Sequence, residues 1–103
     1  MSKVSEINTS AQETTFIKRN QKGAVIFYGS QKCGHYVNIT PYISELAQKY
    51  PKVAFGHVEL TKVKASNISG VPVFVGYRKG EPIDVVMGAD RAKVLDLVKQ
   101  LSK

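Results

Sequence analysis

The feature that most constrains this chain is a run of five apolar residues, Ala24–Tyr28. A continuous apolar run of this length is typical of a strand that is covered on both faces, as in the sheets of α/β proteins. Helical patterns lie on either side of it. One begins at Ser10 with the spacing of a capping box, and the other spans Gly34–Tyr50 with Pro41 inside it. The sequence therefore predicts an α/β domain.

The rest of the chain predicts three more strands and a final helix. A hairpin turn is indicated at Arg78–Glu81, and Asp90 offers an N-cap for the last helix. The predicted order is helix, strand, helix, strand, strand, strand, helix, which gives a central mixed sheet flanked by helices in one domain over residues 1–103. The further strands are Val53–Leu60, Val71–Val75 and Ile83–Met87; Thr61–Ile68 is a loop or short helix; and the last helix turns Val94, Leu95, Val98 and Leu101 inward.

Length and cysteine content exclude several classes of protein. A chain of 103 residues fits one domain with its own core, and its one cysteine, Cys33, excludes an intramolecular disulfide and any multi-cysteine metal site. No metal and no cofactor are predicted. No apolar run approaches a membrane span, and Met1–Glu6 lacks the apolar core of a signal peptide. We therefore expect a cytoplasmic, reducing location and no membrane contact.

The chain is basic, with 15 Lys and Arg against 8 Asp and Glu, for a net charge of +7. Such a charge is compatible with an acidic partner such as nucleic acid. The basic residues are scattered along the sequence without a long run, which favours solubility as the simpler explanation.

Cys33 lies between the first strand and the following helix. A thiol at a helix N-terminus is stabilised as the thiolate by the unpaired N–H groups and the helix dipole, and Lys32 and His35 can add positive charge. The pattern favours a reactive thiol with a lowered pKa over a buried structural cysteine. His57, on a predicted strand, is expected to be held by structural contacts.

Over nearly its whole length the sequence resembles the thioredoxin family. That family follows an apolar strand with a Cys-Gly-Pro-Cys loop, a helix with a proline eight residues after the first cysteine, a Gly-Ile/Val-Pro element, a hairpin and a glycine before the last helix. The resemblance implies the thioredoxin fold, with a cis bond between Val71 and Pro72. The matching positions are Lys32–Tyr36 with Cys33 and Gly34, then Pro41, Gly70–Pro72, Tyr77–Glu81 and Gly88–Ala89.

Departures from the family pattern bear on the chemistry. The resemblance aligns Cys33 with the attacking cysteine, but Tyr36 takes the place of the second cysteine and Phe27 that of a buried aspartate. Lys32 stands where the family has tryptophan, and Val73 where it commonly has threonine. Losing the second thiol together with the carboxylate that assists its proton transfer is coherent, and it makes a self-contained dithiol cycle unfavourable.

Three functions remain open. In the first, Cys33 forms mixed disulfides with protein or glutathione disulfides, or with a second Cys33. In the second, the domain is a redox-inactive adaptor that binds a protein in a groove formed by the Cys33 loop, Val71, Pro72, Gly88 and Ala89. The third, a nucleic-acid-associated protein, is supported by the net charge of +7 alone.

Overall fold

The computed structural model describes residues 4–29, 34–59, 73–88 and 90–102; the side chains of residues 34–38 and 59 lie outside the description. Five strands and three helices occupy these segments, and the predicted segment Thr61–Ile68 lies outside them. The elements are β1 (Val4–Ile7), α1 (Ser10–Arg19), β2 (Ala24–Gly29), α2 (Gly34–Lys49), β3 (Ala54–Glu59), β4 (Val73–Arg78), β5 (Glu81–Met87) and α3 (Arg91–Ser102).

The strands form one mixed sheet in the order β1-β3-β2-β4-β5. Strand β3 pairs in parallel with β1 and β2, and β4 is antiparallel to β2 and β5. The predicted α/β architecture with a central mixed sheet is confirmed, and the apolar run is its middle strand, buried at every position. A strand in the middle of a covered sheet has no solvent face, which is why Ala24–Tyr28 contains no polar alternation.

Each face of the sheet carries its own core. On one face, α2 and α3 pack over alternate residues of β2, β3 and β4, while residues of α1 pack against the other. The larger cluster comprises Val25, Phe27, Ile39, Ile43, Leu46, Ala47, Val53, Phe55, Phe74, Val86, Val94, Leu97, Val98 and Leu101. The smaller one comprises Ile7, Ile26, Tyr28, Val58 and Val73, with Phe16 and Ile17 of α1 against it.

The N-terminal part differs from the prediction in two ways. The sequence pattern does not indicate strand β1, because Val4–Ile7 is short, half polar and lies at the sheet edge. The N-cap of α1 is Thr9 and not Ser10: the Thr9 hydroxyl accepts the amide N–H of Gln12 at 3.1 Å. The Gln12 side chain in turn accepts the N–H of Asn8, the residue before the cap, at 2.7 Å, so Gln12 and not Glu13 makes the return bond at this helix end.

The hairpin and the last helix follow the prediction closely. Lys79 and Gly80 both have positive φ, 57° and 81°, as a tight two-residue hairpin turn requires. The Asp90 carboxylate accepts the amide N–H of Lys93 at 3.1 Å and so caps α3. The sequence predicts Leu95 on the inner face of α3, but Leu97 is the residue buried there and Leu95 is only partly buried.

Strand β5 forms one edge of the sheet. Its side chains Ile83, Val85 and Met87 are 40%, 50% and 64% exposed, and they form an apolar stripe on one face of the strand. The backbone amide of Val85 donates to the carboxylate of the preceding Asp84 at 2.8 Å. The Asp84 carboxylate therefore occupies the backbone N–H group of Val85 on this edge strand.

Candidate active site

The candidate thiol lies between two well-placed elements. Strand β2 ends at Gly29, and α2 begins at Gly34. Lys32 and Cys33 are outside the described residues; in the sequence, Cys33 directly precedes Gly34, the first residue of α2.

The start of α2 favours negative charge. The helix has 16 residues, and no acidic residue occupies its first turn. The free N–H groups and the positive end of the dipole are therefore not neutralised from within that turn. Gly34, His35 and Tyr36 form the beginning of the helix, while the His35 and Tyr36 side chains lie outside the described part of the chain.

One residue from each of the five strands lies in a continuous in-register row across the sheet. The row passes through Phe27, two residues before the end of β2. Phe27 of β2 pairs with His57 of β3 on one side and with Phe74 of β4 on the other. Glu6 of β1 continues the row beyond His57, and Val86 of β5 continues it beyond Phe74. The row belongs to the face that α2 covers, so it lies under the helix that carries the candidate site.

Phe27 fills the position that the resemblance assigns to a carboxylate. Its ring is 2% exposed, and it stacks on the His57 ring with centroids 4.9 Å apart and on the Phe74 ring at 5.8 Å. Aromatic packing therefore occupies the position at which the resembled family has a buried aspartate. Phe27 supplies no ionisable group that could exchange a proton with a second thiol.

His57 is the buried polar residue of the described core, at 2% exposed. Its Nδ1 lies 3.0 Å from Oε2 of Glu6, whose side chain is 63% exposed. The prediction that His57 is held by structural contacts is confirmed. Sequence reasoning missed Glu6 as its partner, since the pairing requires β1, which the sequence pattern did not reveal.

The other predicted wall of the groove is described only in part. Strand β4 begins at Val73, whose in-register neighbours are Tyr28 and Met87. Val71, Pro72 and their predicted cis bond, together with Ala89, lie outside the described residues. Gly88 follows β5 with φ +93°, and a Cβ built on it would meet nothing within 4 Å.

The sheet brings these pieces to one end. The last residue of β2, the first of β4 and the last of β5 lie together because β4 runs antiparallel to both neighbours. The backbone of Gly88 therefore lies at the same end of the sheet as the start of α2. Within the described segments, no group of three His, Cys, Asp or Glu residues is arranged to hold a metal ion, and no helix is long and apolar enough to cross a membrane.

Comparison with known proteins agrees with this architecture. The family model described as "Thioredoxin" matches residues 3–102. The chain is 34% identical over 82 residues to a thioredoxin H-type of Fagopyrum esculentum, covering 76% of this chain and 71% of the relative. It is 26% identical to thioredoxin 1 of Plasmodium falciparum, covering 91% and 93% of the two chains. The crystal structure of the reduced Schistosoma mansoni thioredoxin pre-protein superposes with a TM-score of 0.85 at 30% identity, covering 97% and 99%.

Proposed function

Because this chain belongs to the thioredoxin family, we propose that it takes part in thiol–disulfide exchange with a single attacking thiol, Cys33. Family membership supports thiol–disulfide redox chemistry on protein substrates as the general function. The observation that carries the finer proposal is the start of α2 at Gly34, directly after Cys33, with no acidic residue in the first turn. A reducing, cytoplasmic location is part of the same proposal, because only a reduced Cys33 can attack.

The first step is a simple exchange. The Cys33 thiolate attacks one sulfur of a partner disulfide, a bond forms between the two sulfurs, and the other partner sulfur leaves as a thiolate that takes a proton from water. The helix N-terminus lowers the thiol pKa and raises the fraction of Cys33 present as thiolate. The product is a mixed disulfide between Cys33 and the partner.

The second step needs a thiol from outside. Tyr36 takes the place of the family's second cysteine, and a phenol cannot displace a disulfide sulfur. If the adduct carries glutathione, a second glutathione thiolate attacks the glutathione sulfur, which gives oxidised glutathione and frees Cys33. Phe27 in place of a carboxylate is consistent with release by an external thiol, because the chain has no second thiol whose proton a carboxylate would transfer.

The lifetime of the adduct tests the mechanism. With a protein disulfide substrate, the wild type should accumulate an adduct, or a Cys33–Cys33 dimer, that disappears only when glutathione is added. Tyr36→Cys should shorten the lifetime and raise turnover, because the new thiol lies one helical turn from Cys33. Tyr42→Cys is the matched control, since it adds a thiol to the same helix six residues further along. Equal lifetimes in the two variants would contradict the mechanism.

The remaining candidate is a redox-inactive adaptor that binds a protein segment in the groove along the Cys33 loop, Val71, Pro72, Gly88 and Ala89. The open space at Gly88 supports it. Its φ of +93° makes any side chain strained, so Gly88→Asn, the replacement that tolerates positive φ best, is the suitable probe. Unchanged partner capture by Cys33→Ser, together with capture weakened by Gly88→Asn in a folded protein, would favour the adaptor over the redox protein.

The reactivity of Cys33 provides an independent test. Alkylation by iodoacetamide as a function of pH should give a midpoint below the ordinary thiol value of about 8.5. A midpoint at or above that value would indicate a structural cysteine.

A further inference from the structure

Six basic residues that are scattered in the sequence converge at one end of the fold. They line two adjoining surface depressions of about 720 and 440 Å³, which share Gln21, Lys22 and Lys52. Neither lining contains an aspartate or a glutamate. We call this surface the basic pole; its cations are Lys18, Arg19, Lys22, Lys52, Arg78 and Lys79.

Strand order explains the convergence. The α1–β2 turn, the α2–β3 connection and the β4–β5 hairpin all lie at the end of the sheet where β2 and β3 begin. Backbone bonds join these turns: the Lys79 N–H donates to the Gln21 carbonyl at 2.8 Å, and the Ala54 N–H to the Gly23 carbonyl at 3.1 Å. The Arg78 guanidinium donates to the Gln100 carbonyl of α3 at 2.9 Å. The cations therefore project from a connected platform.

The charge of the basic pole is not neutralised within the described part of the chain. Five of its cations are exposed and Arg78 is half-buried, and none of the six forms an ion pair with a described carboxylate. Lys18 and Arg19 interact favourably with the C-terminal dipole of α1, but the other four lie in turns or at a strand end. Glu81 is the in-register partner of Arg78 across the hairpin, but it lines neither depression. Mutual repulsion of such a group is relieved when a polyanion binds.

We propose that the basic pole binds the phosphodiester backbone of double-stranded nucleic acid without sequence preference. Specific protein interfaces need a buried apolar or aromatic centre, and single-strand binding needs exposed aromatic rings for base stacking. The linings of the two depressions provide neither: their one large apolar residue, Leu101, is 2% exposed. A polar, strongly positive surface is instead what duplex phosphates require.

This site is separate from the thiol chemistry and does not depend on it. The basic pole lies where β2 begins, whereas β2 ends and α2 begins at the opposite end of the sheet. Because the domain measures 32 × 29 × 27 Å, a duplex bound at the basic pole leaves the end of the sheet where α2 begins directed away from the nucleic acid.

Salt-dependent binding tests the proposal. Fluorescence anisotropy of a labelled 20-base-pair DNA duplex would be measured with the full chain between 50 and 200 mM salt. Contact with four to six phosphates gives a slope of log K against log salt of about −4 to −5, and an affinity loss of about 10²–10³-fold over that range. Lys22→Gln/Lys52→Gln should reduce the slope by about two.

The control removes the same charge elsewhere. Arg91→Gln/Lys93→Gln also lowers the net charge by two, but at exposed positions in the first turn of α3, at the other end of the sheet. This variant should keep the wild-type slope. Equal slopes in the two double variants, or no wild-type binding at 50 mM salt, would overturn the proposal. Stronger binding of a polyglutamate peptide, of single-stranded DNA or of phosphatidylserine vesicles than of the duplex would also overturn it.

Discussion

Phe27→Asp restores the family carboxylate, and the structure predicts that this single change removes most of the folding stability. Phe27 is 2% exposed and packs between the rings of His57 and Phe74. Losing about three buried ring carbons costs about 2 kcal/mol, and an uncompensated carboxylate buried in their place adds about 3–5 kcal/mol. The sum is comparable to the whole stability of a small domain, about 5–15 kcal/mol.

A matched variant separates the lost volume from the added charge. Leucine is apolar and close to aspartate in size, so Phe27→Leu removes about three buried carbon atoms and should cost about 2 kcal/mol. Both variants would be unfolded in urea and followed by circular dichroism. Phe27→Leu should shift the midpoint moderately, while Phe27→Asp should be largely unfolded without denaturant.

A stable Phe27→Asp protein would refute this reasoning. Stability equal to that of Phe27→Leu would mean that position 27 is not desolvated as the packing indicates, or that His57 compensates a carboxylate there although its Nδ1 already contacts Glu6. The same result would make Phe27→Asp/Tyr36→Cys a feasible route to a complete dithiol cycle. Failure of Phe27→Asp to fold instead confines any gain to Tyr36→Cys alone.

Three further changes test the fold. Burial, with bonds to Tyr77 at 3.2 Å and Glu13 at 2.8 Å, raises the pKa of Tyr28 far above its usual value. The Tyr28 phenol therefore stabilises the fold fully below pH 10, and this contribution is lost as the pH rises further, because the unfolded chain gives up the phenol proton. Tyr28→Phe should flatten that decline of stability with pH in urea titrations and should cost about 1–2 kcal/mol at pH 7. Asp90→Ala should lower stability by about 1 kcal/mol in the same assay, and Asp90→Ser should restore most of it. Gly80→Val, at φ +81°, should lower the thermal midpoint more than Gly80→Asn, and equal midpoints would contradict the turn geometry.

Sequence patterns predicted the elements whose cause is local or periodic. The buried strand predicted at Ala24–Tyr28, the long helix α2, the hairpin turn and the Asp90 cap each have a local signal, and all are present. Strand β1 has none, because Val4–Ile7 becomes a strand only by pairing with β3, some 50 residues away in the sequence. The Glu6–His57 contact depends on the same pairing and could not be predicted without it.

The basic pole illustrates a second limit. Its six cations come from three separate turns and the end of α1, so counting charges along the sequence finds no run. Only the strand order brings Lys22, Lys52 and Lys79 to one surface. The candidate thiol site was inferred from motif order, and the structure adds the start of α2, the Phe27 row beneath it and the open backbone at Gly88.

The open edge at β5 has a consequence for how this protein behaves at high concentration. An exposed edge strand with an apolar stripe is a template on which another chain can add a strand and begin a fibril. The Asp84 carboxylate, held on the Val85 amide at 2.8 Å, blocks that addition, because an incoming carbonyl has to displace a charged acceptor to reach the donor. One side chain at the margin of the sheet thus helps to keep the exposed Ile83, Val85 and Met87 from nucleating aggregation.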